Sequence, residues 1–122
     1  MMTGGTIAQA VDETGKMQIA KSIDELVSKV DTGHEILCHS FDVRTGANLS
    51  ATTFRAVVEK IQAGIPNYDG FVLITGTDSM EELAYLLDLT LRISEPVVLT
   101  GAMKPSDVIG YDGIANLEQA IQ

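Results

Sequence analysis

Gly70-Phe71-Val72-Leu73-Ile74-Thr75-Gly76-Thr77-Asp78-Ser79-Met80-Glu81-Glu82 passes from an unbroken apolar run, through glycine and hydroxyl-bearing residues, into a stretch with helical spacing. A continuous run such as Phe71 to Ile74 suits a strand covered on both faces, since alternation is needed only where one face meets water. Met80, Leu83, Ala84, Leu87 and Leu91 then fall on one side of a helix. Ser79, followed three residues later by Glu82, has the pattern of a capping box at its start. A strand entering a helix through a polar turn is the repeating unit of an α/β fold.

Outward from that unit the pattern recurs. Ile36 to Cys38 and Val97 to Leu99 read as two further strands, and Phe54, Val57, Val58 and Ile61 form a helical face between the first and second runs. An earlier helix carries Ile23, Leu26, Val27 and Val30 behind a second capping-box pattern, Ser22 and Glu25. A last helix uses Ile114, Leu117 and Ile121 and starts near Asp112. The expected fold is therefore α/β, a doubly wound and mainly parallel sheet with helices on both faces. In such a sheet the strand-to-helix loops share one edge, where ligands bind. The polar clusters fall there: His39-Ser40-Phe41-Asp42, Thr75 to Ser79, and Thr100-Gly101-Ala102-Met103-Lys104. By the same logic Thr3-Gly4-Gly5-Thr6 should follow a strand, yet two methionines are all that precede it, so a first strand is expected to be missing.

Residues 1–122 make one domain at most, 45% hydrophobic and 20% charged, which is the composition of a packed globular segment. Eight basic residues stand against 17 acidic ones, a formal charge of -9, so direct binding to a nucleic-acid backbone has no electrostatic support. Cys38 is the single cysteine, which excludes an intrachain disulfide and reads as an inert, buried thiol. With no basic leader and no apolar run long enough to span a bilayer, the expectation is a cytoplasmic location without membrane contact.

The paired glycines Gly4 and Gly5 allow positive φ and close backbone approach, so their amides could face an anion or a developing oxyanion; a tight turn without chemistry fits the same residues. Thr6 would sit beside those donors. Gly76, Thr77, Asp78 and Ser79 stand at a strand end leading into a helix N-terminus, where Asp78 or Ser79 could simply cap the helix. The functional alternative makes Thr77 a second hydroxyl in a pocket and Asp78 a carboxylate for a substrate ammonium group. His34 and His39 read as polar loop or edge residues rather than bases, and Tyr68, Tyr85 and Tyr111 as packing or loop residues.

Thr3-Gly4-Gly5-Thr6-Ile7-Ala8 and Gly70 to Glu82 resemble the two signature segments of bacterial-type asparaginases. Pro96 to Ser106, with Asp112-Gly113 and Asn116-Leu117 behind it, is similar to a third. The resemblance implies an asparaginase N-terminal α/β domain over residues 1–122, partial at both ends, with the smaller C-terminal domain absent. It implies hydrolysis of the side-chain amide of L-asparagine to L-aspartate and ammonia. Thr6 matches the nucleophile, Thr77 the second essential threonine, and Asp78 the carboxylate that holds the substrate α-ammonium group. Ser40 and Asp42 match substrate-binding positions, Gly5 and Gly76 line the site, and Ala102 matches a residue whose backbone carbonyl faces the amide end. No metal or organic cofactor is implied, and the full-length form is expected to be a homo-oligomer.

Departures from the family pattern are specific. Phe41 stands where many members have a polar residue near the substrate ammonium. Residues 9–21 carry no tyrosine, although the family's mobile loop there usually does. The lysine that completes the group of second threonine, aspartate and lysine lies beyond the equivalent of Gln122, and Lys104 is expected to be structural. Two other readings share the fold, a glutaminase acting on L-glutamine and the archaeal amidotransferase subunit that works with transfer RNA. A third is an inactive fragment or a non-catalytic amino-acid-binding domain, prone to instability because open sheet edges expose apolar surface.

Overall fold

A computed structural model describes residues 1–41 and 50–122 of the chain. In chain order the elements are a 3-10 turn over Thr6–Ala8, β1 (Gln9–Val11), β2 (Met17–Ile19), α1 (Ile23–Val27), α2 (Ala51–Gly64), β3 (Phe71–Ile74), α3 (Met80–Thr90), β4 (Val97–Thr100) and α4 (Gly113–Ile121). The fold is mixed α/β with small sheets. β3 and β4 pair in parallel, with Phe71 opposite Val97 and Ile74 opposite Thr100. Met2 extends this pairing on the other side of β3 through parallel bridges to Ile74 and to Ser40.

The parallel strands form where the apolar runs at 71–74 and 97–99 were expected, with Thr100 added to the second. The run at Ile36 to Cys38 is not a strand. Pairing falls instead on His39 to Phe41, where the Met2 N–H donates to the His39 carbonyl and the Phe41 N–H donates to the Met2 carbonyl, both at 2.9 Å. The reason is register: these residues stand opposite Met2, and a backbone becomes a strand only where a neighbour takes its hydrogen bonds.

Successive side chains of β3 enter different apolar clusters. Phe71 and Leu73 join Val57, Val58 and Ile61 of α2 and Leu83 and Leu87 of α3. Ile74, with Val72 packed beside it, joins Met2, Ile7, Ala8, Ile23, Leu26, Ala102 and Leu117. This is the period-2 geometry of a strand covered on both faces. Burying each such leucine or isoleucine contributes roughly 1.5–3 kcal/mol, so β3, contributing to both clusters, is the centre of the fold.

Helix termini split the expectations. At α1 the Ser22 hydroxyl accepts from the Glu25 N–H at 3.2 Å and the Glu25 carboxylate accepts from the Ser22 N–H at 2.7 Å, a complete capping box. Ser79 precedes α3 without a side-chain cap, because its backbone sits at φ -118°, ψ 5° instead of the extended geometry seen at Ser22, and the residue is buried. α2 begins with a Ser50 hydroxyl cap onto the Thr53 N–H.

The stretch between Gln9 and Lys21 forms an antiparallel hairpin of β1 and β2, with Gln9 opposite Ile19 and Val11 opposite Met17. Its turn is organised by the Asp12 carboxylate, which accepts from the Thr14 N–H at 2.9 Å, the Thr14 hydroxyl at 2.6 Å and the Lys16 N–H at 3.0 Å. The Thr14 hydroxyl, followed by the Lys16 amide, holds the Asp12 carboxyl below its ordinary range. The hairpin leans on the segment after β4 through Ser106 N–H to the Gln9 carbonyl and Val11 N–H to the Asp107 carboxylate. Among the described residues, no helix is long and apolar enough to cross a membrane.

Candidate functional site

Three loops meet at the carboxyl ends of β3, β4 and the Met1–Thr3 segment. The first is fixed to β3 by the Thr3 N–H, which donates to the Ile74 carbonyl at 3.0 Å, with the Thr3 hydroxyl on the same oxygen at 3.3 Å. The second follows β3, where the Thr75 N–H donates to the Thr100 carbonyl at 3.0 Å and carries the sheet pairing up to the glycine. The third, Gly101 to Lys104, leaves β4.

Backbone alone separates the first two loops. Gly5 has φ +104°, and a methyl group added to it would lie 2.7 Å from both the Gly76 amide nitrogen and the Thr75 carbonyl oxygen. Only glycine allows that conformation and that approach together. A methyl on Gly76 would lie 2.6 Å from Asp78 Oδ1 and 3.8 Å from the Gly5 Cα, so the Asp78 carboxylate folds back over Gly76 beside the first loop. A methyl on Gly101 would meet the Thr75 carbonyl oxygen at 2.7 Å and the Thr77 side-chain methyl at 3.4 Å, which brings the third loop to the same place.

The expected site residues are distributed as follows. Thr6 opens the 3-10 turn directly after Gly5 and is half-buried. Thr77 and Asp78 are exposed in the turn between β3 and α3. Ala102 is buried beneath the loops with Ile7 and Ala8. Ser40 is exposed and lies next in the sheet to Met2, one strand away from β3. Asp42 lies outside the described residues. Gly5, Gly76, Thr77 and Asp78 are thus gathered around one contact, while Ser40 stands opposite Met2 in the sheet.

His39 packs edge-on against Phe41, ring centroids 4.8 Å apart. Burial, then the Lys60 charge, pushes its imidazole below the ordinary value. Cys38 is half-buried rather than fully buried, and burial raises its thiol.

Residues just past β4, two of them quoted only for their resemblance, turn out to organise the site. The Asp112 carboxylate accepts from the Met103 N–H and the Lys104 N–H, each at 3.1 Å, instead of capping α4. Asn116 Nδ2 donates to Asp112 Oδ2 and to the Gly101 carbonyl, each at 3.0 Å. Hydrogen bonds from the Met103 amide, then the Lys104 amide, hold the Asp112 carboxyl below its ordinary value. Tyr111, read from sequence as a packing residue, donates its hydroxyl to the Ile7 carbonyl at 2.7 Å. Ile7 is 104 positions away in the chain, so no spacing rule points to this bond. A concave surface of about 460 Å³ lies at the other end of β3 and β4, bounded by Ile65 to Asp69 and Ser94 to Pro96, away from the three loops.

The chain is similar to known proteins over its whole length. The family described as "Asparaginase, N-terminal" matches residues 1–122. L-asparaginase 2 of Escherichia coli (strain K12) is 35% identical over 127 aligned positions, which cover 99% of this chain and 36% of that protein. The probable periplasmic L-asparaginase of Haemophilus influenzae is 36% identical over the same shares. Among solved structures, the probable cytoplasmic L-asparaginase from Campylobacter jejuni superposes with a TM-score of 0.88 at 37% identity, covering 98% of this chain and 39% of that one. The chain therefore spans a little over a third of the length of the relatives it matches. With its whole length matched by the family model, the chain belongs to the asparaginase family, within that family's N-terminal domain.

Proposed function

We propose that this chain is the nucleophile-bearing part of an amidohydrolase that converts L-asparagine to L-aspartate and ammonia. The observation that carries the reading is the contact of Gly5 with Thr75 and Gly76, with the Asp78 carboxylate folded over the same glycine. It brings the loop bearing Thr6 against the loop bearing Thr77. In the proposed reaction Thr6 Oγ1 attacks the side-chain amide carbon. Its proton passes to a base and on to the leaving nitrogen, which departs as ammonia and leaves an ester on Thr6. Water then cleaves the ester, releases aspartate and restores the hydroxyl. Backbone amides beside Gly5 serve the developing oxyanion, and Thr77 orients the attacking oxygen or water. Asp78 holds the substrate ammonium group, with Ser40 and Asp42 on its carboxylate side and the Ala102 carbonyl at the amide end.

The same reading includes a doubly wound, mainly parallel sheet with helices on both faces, supported by the alternation of β3 side chains between two clusters. It includes a homo-oligomer in the full-length form, and a remainder of the protein that closes the site. Support for further packing comes from exposed apolar side chains such as Met103 at 74% and Ile109 at 96% exposure. A cytoplasmic location is favoured by the lone cysteine and by the name of the C. jejuni relative, and opposed by that of the H. influenzae one; cell fractionation decides between them.

The test is ammonia release from asparagine by this chain alone and by this chain joined to the remaining segment of the C. jejuni protein. The joined form is expected to turn over, and Thr6→Ala and Thr77→Ala should each lower kcat by roughly a thousandfold or more. Normal turnover in either variant removes the assigned roles. Faster release from glutamine would make the protein a glutaminase, and aspartate binding without hydrolysis in the joined form would make it a binding domain.

A further inference from the structure

We propose that Tyr111 and Asp112 are positioning residues that lock the Thr6 turn and the Gly101–Lys104 loop to each other. They are adjacent in sequence and reach opposite sides of the site. The Tyr111 hydroxyl donates to the Ile7 carbonyl, one residue after Thr6, while the Asp112 carboxylate accepts from the Met103 and Lys104 amides, directly after Ala102.

The turn needs such a tie. Thr6–Ala8 is a three-residue 3-10 turn with no side-chain cap from Gly5, and so short a segment has little stability of its own. The tyrosine ring is itself held. The Lys21 ammonium lies 5.1 Å from its centroid, and the Lys21 N–H donates to the Ala8 carbonyl at 3.1 Å. On the other side, Asp112 and Asn116 together satisfy three backbone groups of the third loop, the Met103 and Lys104 N–H groups and the Gly101 carbonyl. Both ties are anchored by α4, whose Leu117 is buried in the cluster that holds Ile7, Ala8 and Ala102. A shift of the turn therefore drags the third loop with it. The catalytic consequence rests on the amidohydrolase reading: nucleophile and amide-end loop keep a fixed separation, on which a displacement-sensitive attack depends.

The experiment uses Tyr111→Phe, which keeps the ring and removes one donor, and Asp112→Asn, which turns an acceptor oxygen into a donor facing backbone N–H groups. In the 122-residue chain, amide hydrogen exchange read by NMR should accelerate about tenfold or more at Met103 and Lys104 in Asp112→Asn, and by a similar factor at Ala8 in Tyr111→Phe. Tyr85→Phe, on the exposed side of α3, should change neither. Unchanged exchange at these amides in a folded variant overturns the tie. Where Asp112→Asn does not fold, Asn116→Ser, which removes the donor to Asp112 and to the Gly101 carbonyl, is read at Met103 and Lys104 in its place, with Tyr111→Phe still read at Ala8. In the joined, active form each variant should lower kcat by about tenfold or more with KM moving less than about threefold. An unchanged kcat overturns the positioning role while leaving the hydrolysis intact. Failure of the unsubstituted joined form to hydrolyse asparagine overturns the amidohydrolase reading instead, and exchange at Ala8, Met103 and Lys104 then decides the tie by itself.

Discussion

Gly5 stands so close to Gly76 that a single methyl group between them would lie 2.7 Å from the Gly76 amide nitrogen. Two segments distant in sequence therefore touch through backbone, and the loop that carries Thr6 is set against the loop that carries Thr77 and Asp78. The contact also makes the site fragile in a measurable way.

Gly5→Ala should destabilise the fold by at least about 1–3 kcal/mol, because alanine is strained at φ +104° and its methyl has no room against Thr75 and Gly76. Thermal unfolding measures the loss. Gly76→Ala should act differently: its methyl meets the Asp78 carboxylate, which can swing away, so the fold should suffer less while the carboxylate is displaced. Equal melting temperatures for Gly5→Ala and the unsubstituted chain would contradict the observed packing.

Acid should loosen two local structures ahead of the core. The folded carboxyls of Asp12 and Asp112 titrate below their ordinary value of 3.8. A depressed folded value means the stabilising contribution is complete above the unfolded value and is lost as pH falls through the folded one. No change from these groups is expected between pH 7 and about 5. Below about 4, the amide resonances of Thr14 and Lys16 should move with Asp12, and those of Met103 and Lys104 with Asp112. If instead these amides titrated near neutral pH, the hydrogen-bond assignments would fail.

Leu83→Ala should cost about 2–5 kcal/mol, since Leu83 is fully buried between α2, α3 and β3 and leaves a cavity that the cluster fills only in part. Leu89→Ala on the same helix, where the side chain is 56% exposed, should stay within about 0.5 kcal/mol. Urea unfolding of both variants separates the faces of α3. Comparable losses would mean that α3 packs in a different rotation.

Much of this was readable from local pattern. The apolar run at 71–74, the helical faces carrying Val57, Val58, Ile61, Leu83 and Leu87, and the Ser22–Glu25 capping box each depend on residues within a few positions of one another. The β1–β2 hairpin was missed because its strands are three residues each and its turn relies on one carboxylate collecting several donors, a signal weaker than a glycine-containing two-residue turn. Ser79 looked like Ser22 in sequence yet makes no side-chain cap, since neighbours in space, not spacing, set its backbone angles.

By itself the sequence pointed to β3, β4 and the helices around them, to most of the buried face of each helix and to the loops that carry the hydroxyl and carboxylate residues, because periodicity and turn chemistry act over short separations. Tertiary structure alone decided that pairing begins at His39 rather than Ile36, that Asp112 serves the Met103–Lys104 loop rather than its own helix, and that Tyr111 reaches Ile7 across 104 positions. Those choices belong to backbone groups competing for partners once the chain is compact, and that competition leaves no trace in local spacing.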